Sequence, residues 1–367
     1  MRIWCGGGVA WAMIWAATPA AAQEVPAPSL RDDATTERLG SNDIVVTGRA
    51  GSGERTKVDT SYAITTLSND MIRSRAPTSV TETLKSVPGF WVEASGGEGS
   101  GNVRARGIPV DGFGSINLLE DGLPVQHDPA LGYLNADQAF RIDESIDRVE
   151  IVRGGPSSIF YSNAPGGVVN YIVRKPGDTL SGYGRVLYGP TAELYRFDGW
   201  AGTPLKDDWT MGVGGFYRNE QGVRDPGYTG NRGGQVRADL AKDFGDAAVS
   251  LSYKHLNDRA IFYTGIPLTK DRDGDIVGLP GFDPHYGTTA SRASAYLTLL
   301  SANGPVRFNN TDGTAIRLDQ FSVMAEWRLG GGFKLTNNAR YRDSRTMRNG
   351  VYPASIATAS KYIAANQ

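Results

Sequence analysis

The sequence predicts an α+β domain followed by an array of antiparallel β-strands, and three observations carry that expectation. Residues 147–176 run from Asp147 and Arg148 through the pairs Gly154-Gly155 and Gly166-Gly167 to Pro176, so that strand, glycine turn, short helix and second strand follow with almost no slack. After Pro176, apolar and polar residues alternate with period two, which is the pattern of strands with unlike faces. The connections between those strands are in turn short and long.

Averages over the chain decide less. With 367 residues, 38 basic and 39 acidic side chains, 40% apolar content and a mean hydropathy of −0.32, two or three ordinary domains are allowed. A nucleic-acid footprint is disfavoured, since it needs a basic excess. A membrane barrel is not excluded, because each spanning strand mixes both residue classes and dilutes its own signal. The 47 glycines and 16 tyrosines are better hints.

At the N-terminus, Arg2, an apolar run from Val9 to Ala17 and the triplet Ala20, Ala21, Ala22 before Gln23 have the order of a secretory signal peptide, residues 1–22. The run is too short to cross about 30 Å of hydrocarbon as a helix. Cys5, the sole cysteine, would leave with it, and export of a cysteine-free chain suits a periplasmic or outer-membrane destination. Residues 23–56 read as a flexible arm, since Pro, Ala, Thr and charge without apolar periodicity cannot offset ordering entropy. One apolar patch interrupts it: Asp43, Ile44, Val45, Val46, Thr47 and Gly48. Such an extended β-branched segment between linkers either adds to another protein's sheet edge or is a first strand of the domain that follows.

Residues 57–176 form the α+β unit. Residues 62–67 read as a strand, with Ser68 capping the turn of helix after it. Val80, Leu84 and Val87 share a helical face that Pro88-Gly89 ends. Residues 95–101 form a loop too glycine-rich to be core, and Asp121-Gly122 between residues 116–119 and 123–125 marks a hairpin.

From 177 to 367 the strands fall near 181–189, 193–203, 209–218, 234–243, 247–257, 315–329 and 333–345. Phe321, Val323, Ala325, Trp327 and Leu329 share one face, with Glu326 and Arg328 on the other. Val249, Leu251 and Tyr253 alternate with Ser250, Ser252 and Lys254, while Phe333, Leu335, Ala339 and Tyr341 oppose Lys334, Thr336, Asn338, Arg340 and Arg342. Charges on the second face call for water, and aromatics near strand ends suit a membrane interface. Alternation alone also allows a soluble β-sandwich or a periplasmic barrel, in which one face is likewise apolar and the other polar.

The order of a helix, Pro88-Gly89-Phe90, then Asn102, Val103, Arg104, Ala105, Arg106 and Gly107, then Leu119 to Pro124, then residues 147–176 resembles the plug domain of TonB-dependent outer-membrane receptors throughout. Ala105 departs from the Ile or Val usual before Arg-Gly in that family. The resemblance implies a plug with a small mixed sheet and short helices, followed by an incomplete antiparallel transmembrane β-barrel. Family barrels close with 22 strands. Seven strands and a polar end at Ala364 to Gln367 therefore read as the N-terminal part of one. It further implies active import of a scarce nutrient across the outer membrane of a Gram-negative bacterium. A ferric siderophore is the commonest cargo, with cobalamin, haem and oligosaccharide as other family cargoes. A secreted or periplasmic β-rich binding protein is the rival class.

By the same resemblance residues 43–48 are a TonB box, the docking strand for TonB and its inner-membrane energising complex. Arg106 and Arg153 would pair with carboxylates of the barrel wall. Outer-membrane lipid would be the other partner. Ligand contacts would come from the apical loops 95–102 and 126–133 and the long outer loop 258–314, with Glu98, Tyr133, Phe262 and Tyr263 as candidates, the aromatics stacking on a chelator. The residues themselves offer no nucleophile elbow, zinc spacing or dinucleotide fingerprint, and His127, His255 and His285 are dispersed, so neither an enzyme, a metal site nor a cofactor is expected. Residues 271–275 are similar to the start of a calcium loop, but Ile276 stands where glycine is required and Phe282 where the bidentate Glu belongs.

Overall fold

The structure, a computed structural model, describes residues 63–109, 111–126, 135–154, 161–162, 164–353 and 357–365, with the backbone of 44–45 and 55–56. The expected signal segment and most of residues 43–48 lie outside the described residues. All that is described belongs to one compact unit. Strand β1 (Ile44–Val45) pairs antiparallel with β2 (Arg55–Thr56), Val45 opposite Arg55.

Local chemistry sets the next elements. After β3 (Ile64–Ser68), the Ser68 hydroxyl accepts from the Met71 amide and opens α1 (Asn69–Arg75), which ends where Ala76 turns left-handed at φ 44°. Ser79 caps α2 (Val80–Leu84) in the same way, and Val80, Leu84 and Val87 are buried. Strands β4 (Phe90–Glu93) and β5 (Asn102–Ala105) form a hairpin. Then β6 (Ile116–Glu120) and β7 (Leu123–Pro124) are joined by Asp121 at φ 49° and Gly122 at φ 80°, the left-handed pair that a tight hairpin turn requires. With β8 (Ile146–Val152) and β9 (Gly167–Val173) these complete a sheet of order β3-β8-β9-β6-β7, in which β6 and β9 run parallel.

A second sheet follows, antiparallel throughout: β10 (Ser181–Gly189), β11 (Leu194–Pro204), β12 (Trp209–Glu220), β13 (Asn231–Asp243), β14 (Ala247–Ala260), then β19 (Thr314–Gly330) and β20 (Phe333–Arg348). It is open, with β10 and β20 as edges. Its seven strands lie where the alternation placed them. The long connection from β14 to β19 holds two hairpins that the sequence did not suggest, β15 (Leu268–Lys270) with β16 (Ile276–Gly278) and β17 (Tyr296–Ser301) with β18 (Gly304–Asn309). Residues 271–275 are the turn of the first, where Asp271 Oδ1 accepts from the amides of Asp273 and Asp275. A helix α3 (Ala359–Ala365) comes last.

The wall's outer face exposes Tyr188, Tyr195, Phe197, Tyr217, Val236, Leu251, Phe321, Leu329, Phe333 and Tyr341. On its inner face, Leu256, Ile316 and Leu318 join Leu84, Val103, Phe113, Leu118, Val149, Ile151, Val169 and Tyr171 of the α+β domain in a single core. The inner charges were expected to face water. Lys254, Arg340 and Arg342 are instead covered by the α+β domain, whose Glu120 carboxylate replaces the solvent, whereas Glu326, Arg328 and Lys334 near the short turns keep solvent contact.

Candidate functional site

The inner wall places cations directly opposite one another. Strand register sets Arg196 across from Arg218 and Arg237 across from Lys254. Like charges facing across a ladder destabilise it unless an anion lies between them. For Arg237 and Lys254 the α+β domain supplies that anion, whereas Arg196 is held by Asp198 of its own strand and Arg218 by Asp258 of the wall together with Glu98 of the domain.

Glu120, the last residue of an otherwise apolar strand, is fully buried. Lys254 Nζ donates to both of its carboxylate oxygens at 2.8 Å, Arg237 donates to the same carboxylate, and Gln320 Nε2 reaches it at 3.2 Å. Arg342 approaches within 3.5 Å, and Arg340 donates to the Glu120 backbone carbonyl at 2.7 Å. Four adjacent wall strands, β13, β14, β19 and β20, thus converge on one carboxylate. Burial pushes its pKa up, but Lys254, Arg237, Arg340 and Arg342 together outweigh burial and hold it well below the usual carboxylate range.

A second cluster mixes signs. Asp258 of β14 accepts from Arg141 Nε at 2.6 Å and from Arg218 at 2.8 and 3.1 Å, and Arg218 also bonds Glu98 of the glycine-rich loop. Arg141 is held in turn by the carbonyls of Asp137, Gln138 and Phe140. A third joins Glu144 to Arg73 at 3.0 Å and to Arg185 of β10 at 3.4 Å, while Arg196 donates to the Ile142 carbonyl at 2.5 Å. Removing one partner from a buried pair is costly, so these clusters fix the domain's seat on the wall. Toward the short turns the interface instead opens into a cavity of about 990 Å³, bounded by Lys175, Asp207, Lys242, Asp243 and Glu326.

The residues picked from sequence are placed differently. Arg106 donates to the Arg153 carbonyl at 2.7 Å, and Arg153 to the Pro88 carbonyl at 3.1 Å. Both brace the α+β domain's own backbone, and among the described residues no ion pair joins either to the wall. The cation falls on the wall and the carboxylate on the domain at Glu120, the reverse of the expected polarity. Glu98 is occupied by Arg218 and by Thr78, whose hydroxyl donates at 2.8 Å. Phe262 and Tyr263 are buried and not presented to a ligand: Phe262 packs on Tyr352 and beneath Arg348, and the Tyr263 hydroxyl exchanges hydrogen bonds with the backbone of Arg224. Burial raises that phenol to about 12. Tyr133 lies outside the described residues.

The loop at 95–101 corrects another expectation. Gly96, Gly97, Gly99 and Gly101 are buried: the segment 261–263 lies across the first two, with the Tyr263 amide bonded to the Gly96 carbonyl, while Gly99 faces Thr314 and Arg141 and Gly101 faces Thr81 and Asp137. A Cβ at Gly97, whose φ is +96°, would sit 2.6 Å from the Ile261 carbonyl. Glycine here permits close backbone approach.

A family profile, TonB-dependent Receptor Plug Domain, matches residues 56–168. Among curated proteins, the chain is 30% identical over 131 residues to a hemin receptor of Yersinia enterocolitica, covering 36% of this chain and 18% of that protein. It is 28% identical over 211 residues to the ferric enterobactin receptor PirA of Pseudomonas aeruginosa, covering 47% and 28%. The chain therefore spans less than a third of these relatives' lengths. Among solved structures, the ferripyoverdine receptor of the outer membrane of Pseudomonas aeruginosa aligns with a TM-score of 0.59 at 17% identity, over 84% of this chain and 37% of that one. The siderophore receptor PiuA of Acinetobacter baumannii aligns at 0.57 and 15%, over 79% and 37%. At those identities they speak for the fold, an α+β plug seated on barrel strands. Residues 56–168 are thus identified as a TonB-dependent receptor plug domain, and the strands that follow share the fold of receptor barrels.

Proposed function

We propose that this chain is the plug and first wall strands of an outer-membrane transporter that imports an iron chelate, of the ferric siderophore class, with energy delivered through TonB. The observation that carries the reading is the plug's attachment. It is held by discrete ionic clusters around Glu120, Asp258 and Glu144 and by the apolar contact with Leu256, Ile316 and Leu318, with an opening at the short-turn end, and a domain so held can be displaced without unfolding the wall. Relatives named as hemin, enterobactin and pyoverdine receptors support iron as the cargo. Relatives named as receptors support transport as the role.

In this reading residues 1–22 direct export, residues 43–48 present the strand that TonB captures, and residues 57–176 are the plug. The outer-face apolar residues meet outer-membrane lipid. Two parts of the ligand expectation are withdrawn, Phe262 and Tyr263, and contact with the chelate is assigned to no described residue. The test is uptake of radiolabelled iron by an iron-starved Gram-negative host expressing the receptor at full length, offered ferric catecholate, ferric hydroxamate, or haem. TonB-dependent accumulation of one ferric chelate supports the reading. Equal uptake with and without TonB, or uptake of haem alone, rejects the mechanism or the cargo respectively.

A further inference from the structure

The sequence holds two Asn-Gly pairs, Asn303-Gly304 and Asn349-Gly350, and the fold treats them oppositely. Asparagine before glycine is the pair in which a backbone nitrogen best attacks the preceding side-chain carboxamide, because glycine puts no Cβ in the way. Whether it does so depends on how firmly the asparagine is held.

Asn303 lies in the turn of the hairpin β17–β18, within the long connection from β14 to β19. Ser301 pairs with Gly304, so Ala302 and Asn303 alone make the turn, and only Gly304 beyond them is left-handed, at φ 100°. The favoured two-residue hairpin turns put a left-handed residue inside the turn to match the twist of the strands, and this one does not. Asn303 is exposed, and among the described residues no hydrogen bond engages its carboxamide. Its backbone amide donates to Ser301 Oγ at 3.2 Å, and that hydroxyl donates to the Gly304 carbonyl at 2.7 Å. Nothing lies within 4 Å of the place that a Cβ on Gly304 would take. The carboxamide is therefore free to swing over the Gly304 nitrogen.

Asn349 is the opposite case. It is half-buried just past β20, where its Nδ2 donates to the Asn309 carbonyl at 2.8 Å and its backbone amide to the Gly313 carbonyl at 2.7 Å. Gly350 lies against Phe262, whose ring would stand 2.5 Å from a Cβ there. Attack on Asn349 requires its carboxamide to leave Asn309 first.

We propose that Asn303 is a site of spontaneous deamidation, through which the tip of this hairpin changes its charge and backbone length after folding. The Gly304 nitrogen gives its proton to solvent hydroxide and bonds to Asn303 Cγ, and the bond from Cγ to Nδ2 breaks with loss of ammonia. Holding both groups on adjacent residues replaces a bimolecular encounter. Water then opens the succinimide so formed. Hydrolysis at Cγ leaves aspartate, whereas hydrolysis at the backbone carbonyl leaves isoaspartate, whose main chain runs through Cβ and Cγ and is one carbon longer. Water enters, ammonia leaves, and nothing is oxidised. A two-residue turn absorbs the extra carbon by giving up the rung between Ser301 and Gly304 and the bonds of the Ser301 hydroxyl.

The experiment incubates the folded chain, in detergent micelles, in mildly alkaline heavy-oxygen water and maps the label by peptide mass spectrometry. Asn303 should take up label about tenfold faster than Asn349, the advantage of having no hydrogen bond to break, and faster again as the pH rises. In the chain unfolded in urea the two should react alike. Asn303→Gln should stay unlabelled at that position, since the longer side chain must close a larger and slower-forming ring. Isoaspartate at 303, detected by methyl transfer from a protein-isoaspartyl methyltransferase, should be accompanied by faster hydrogen exchange across residues 299–306. Equal labelling of the two asparagines in the folded chain, or labelling at 303 that ignores pH, overturns the site. Unchanged exchange across the hairpin overturns the structural consequence.

Discussion

Replacing Glu120 with glutamine removes one negative charge and leaves Lys254, Arg237, Arg340 and Arg342 gathered around a neutral amide. The amide keeps one acceptor oxygen, where the carboxylate accepted from Lys254 on both oxygens and from Arg237 and Gln320 besides. Breaking a buried ionic cluster from one side costs about 3–5 kcal/mol. Lifting of the plug from this part of the wall should therefore become more frequent by on the order of a hundred- to a few thousandfold. Leu318, fully buried in the core shared by plug and wall, reports that motion if changed to cysteine, since the mature chain is expected to hold no other thiol. Maleimide labelling of Leu318→Cys should accelerate by that factor in the Glu120→Gln background. Adding Lys254→Met should restore part of the protection, because excess charge is removed with its partner. Equal labelling rates, or strict additivity, would refute the ionic account of plug seating. The acid response has a definite sign. Glu120 in the folded chain titrates well below its unfolded value, so its stabilisation is complete above the unfolded pKa of about 4.3 and is lost as pH falls through the folded value. Acid unfolding followed by tryptophan fluorescence should show this component in wild type only well below pH 4, and Glu120→Gln should lack it.

Other expectations concern single positions. Val45→Pro removes a backbone donor from the expected docking strand and fixes its φ, so energised uptake should vanish while chelate binding at the cell surface persists. Normal uptake, or parallel loss of both, would make residues 43–48 an ordinary plug strand. Tyr263→Phe leaves the Arg224 amide and carbonyl without their partner, costing about 1–2 kcal/mol. Hydrogen exchange at Arg224 should quicken about tenfold with chelate affinity unchanged, and a loss of affinity would restore Tyr263 as a ligand contact. N-terminal sequencing of exported protein should begin at Gln23, and retention of Met1 would remove the export argument.

What could be read from the sequence follows the range of the interactions involved. Ser68 and Ser79 as caps, the left-handed Asp121-Gly122 turn and the seven wall strands were legible, since caps, turns and period-two alternation depend on residues a few positions apart. The two hairpins within residues 261–313 were missed because their strands are three to six residues long and lie in a segment read only as loop. The ionic clusters were illegible for another reason. Glu120 is separated from Lys254 by 134 residues and from Arg342 by 222, and nothing local tells a buried carboxylate from a turn-flanking one. One signal was available: an acidic residue closing an apolar strand, together with one inward cation on successive strands at Arg196, Arg218, Arg237 and Lys254.

Those same separations bear on how the molecule is built. A carboxylate in β6 finds its last partners only when β19 and β20 have been laid down, and Leu256, Ile316 and Leu318 complete the plug's core equally late. Contacts of such sequence separation form slowly, because long loops must close before any of them is rewarded. A nascent chain must therefore carry Glu120 and the apolar underside of the plug uncovered through synthesis of the 134 residues up to Lys254 and the 222 up to Arg342. Assembly of the wall is then also the final step in maturation of the plug, and any lesion that delays β19 or β20 should appear first as proteolysis near residues 116–126.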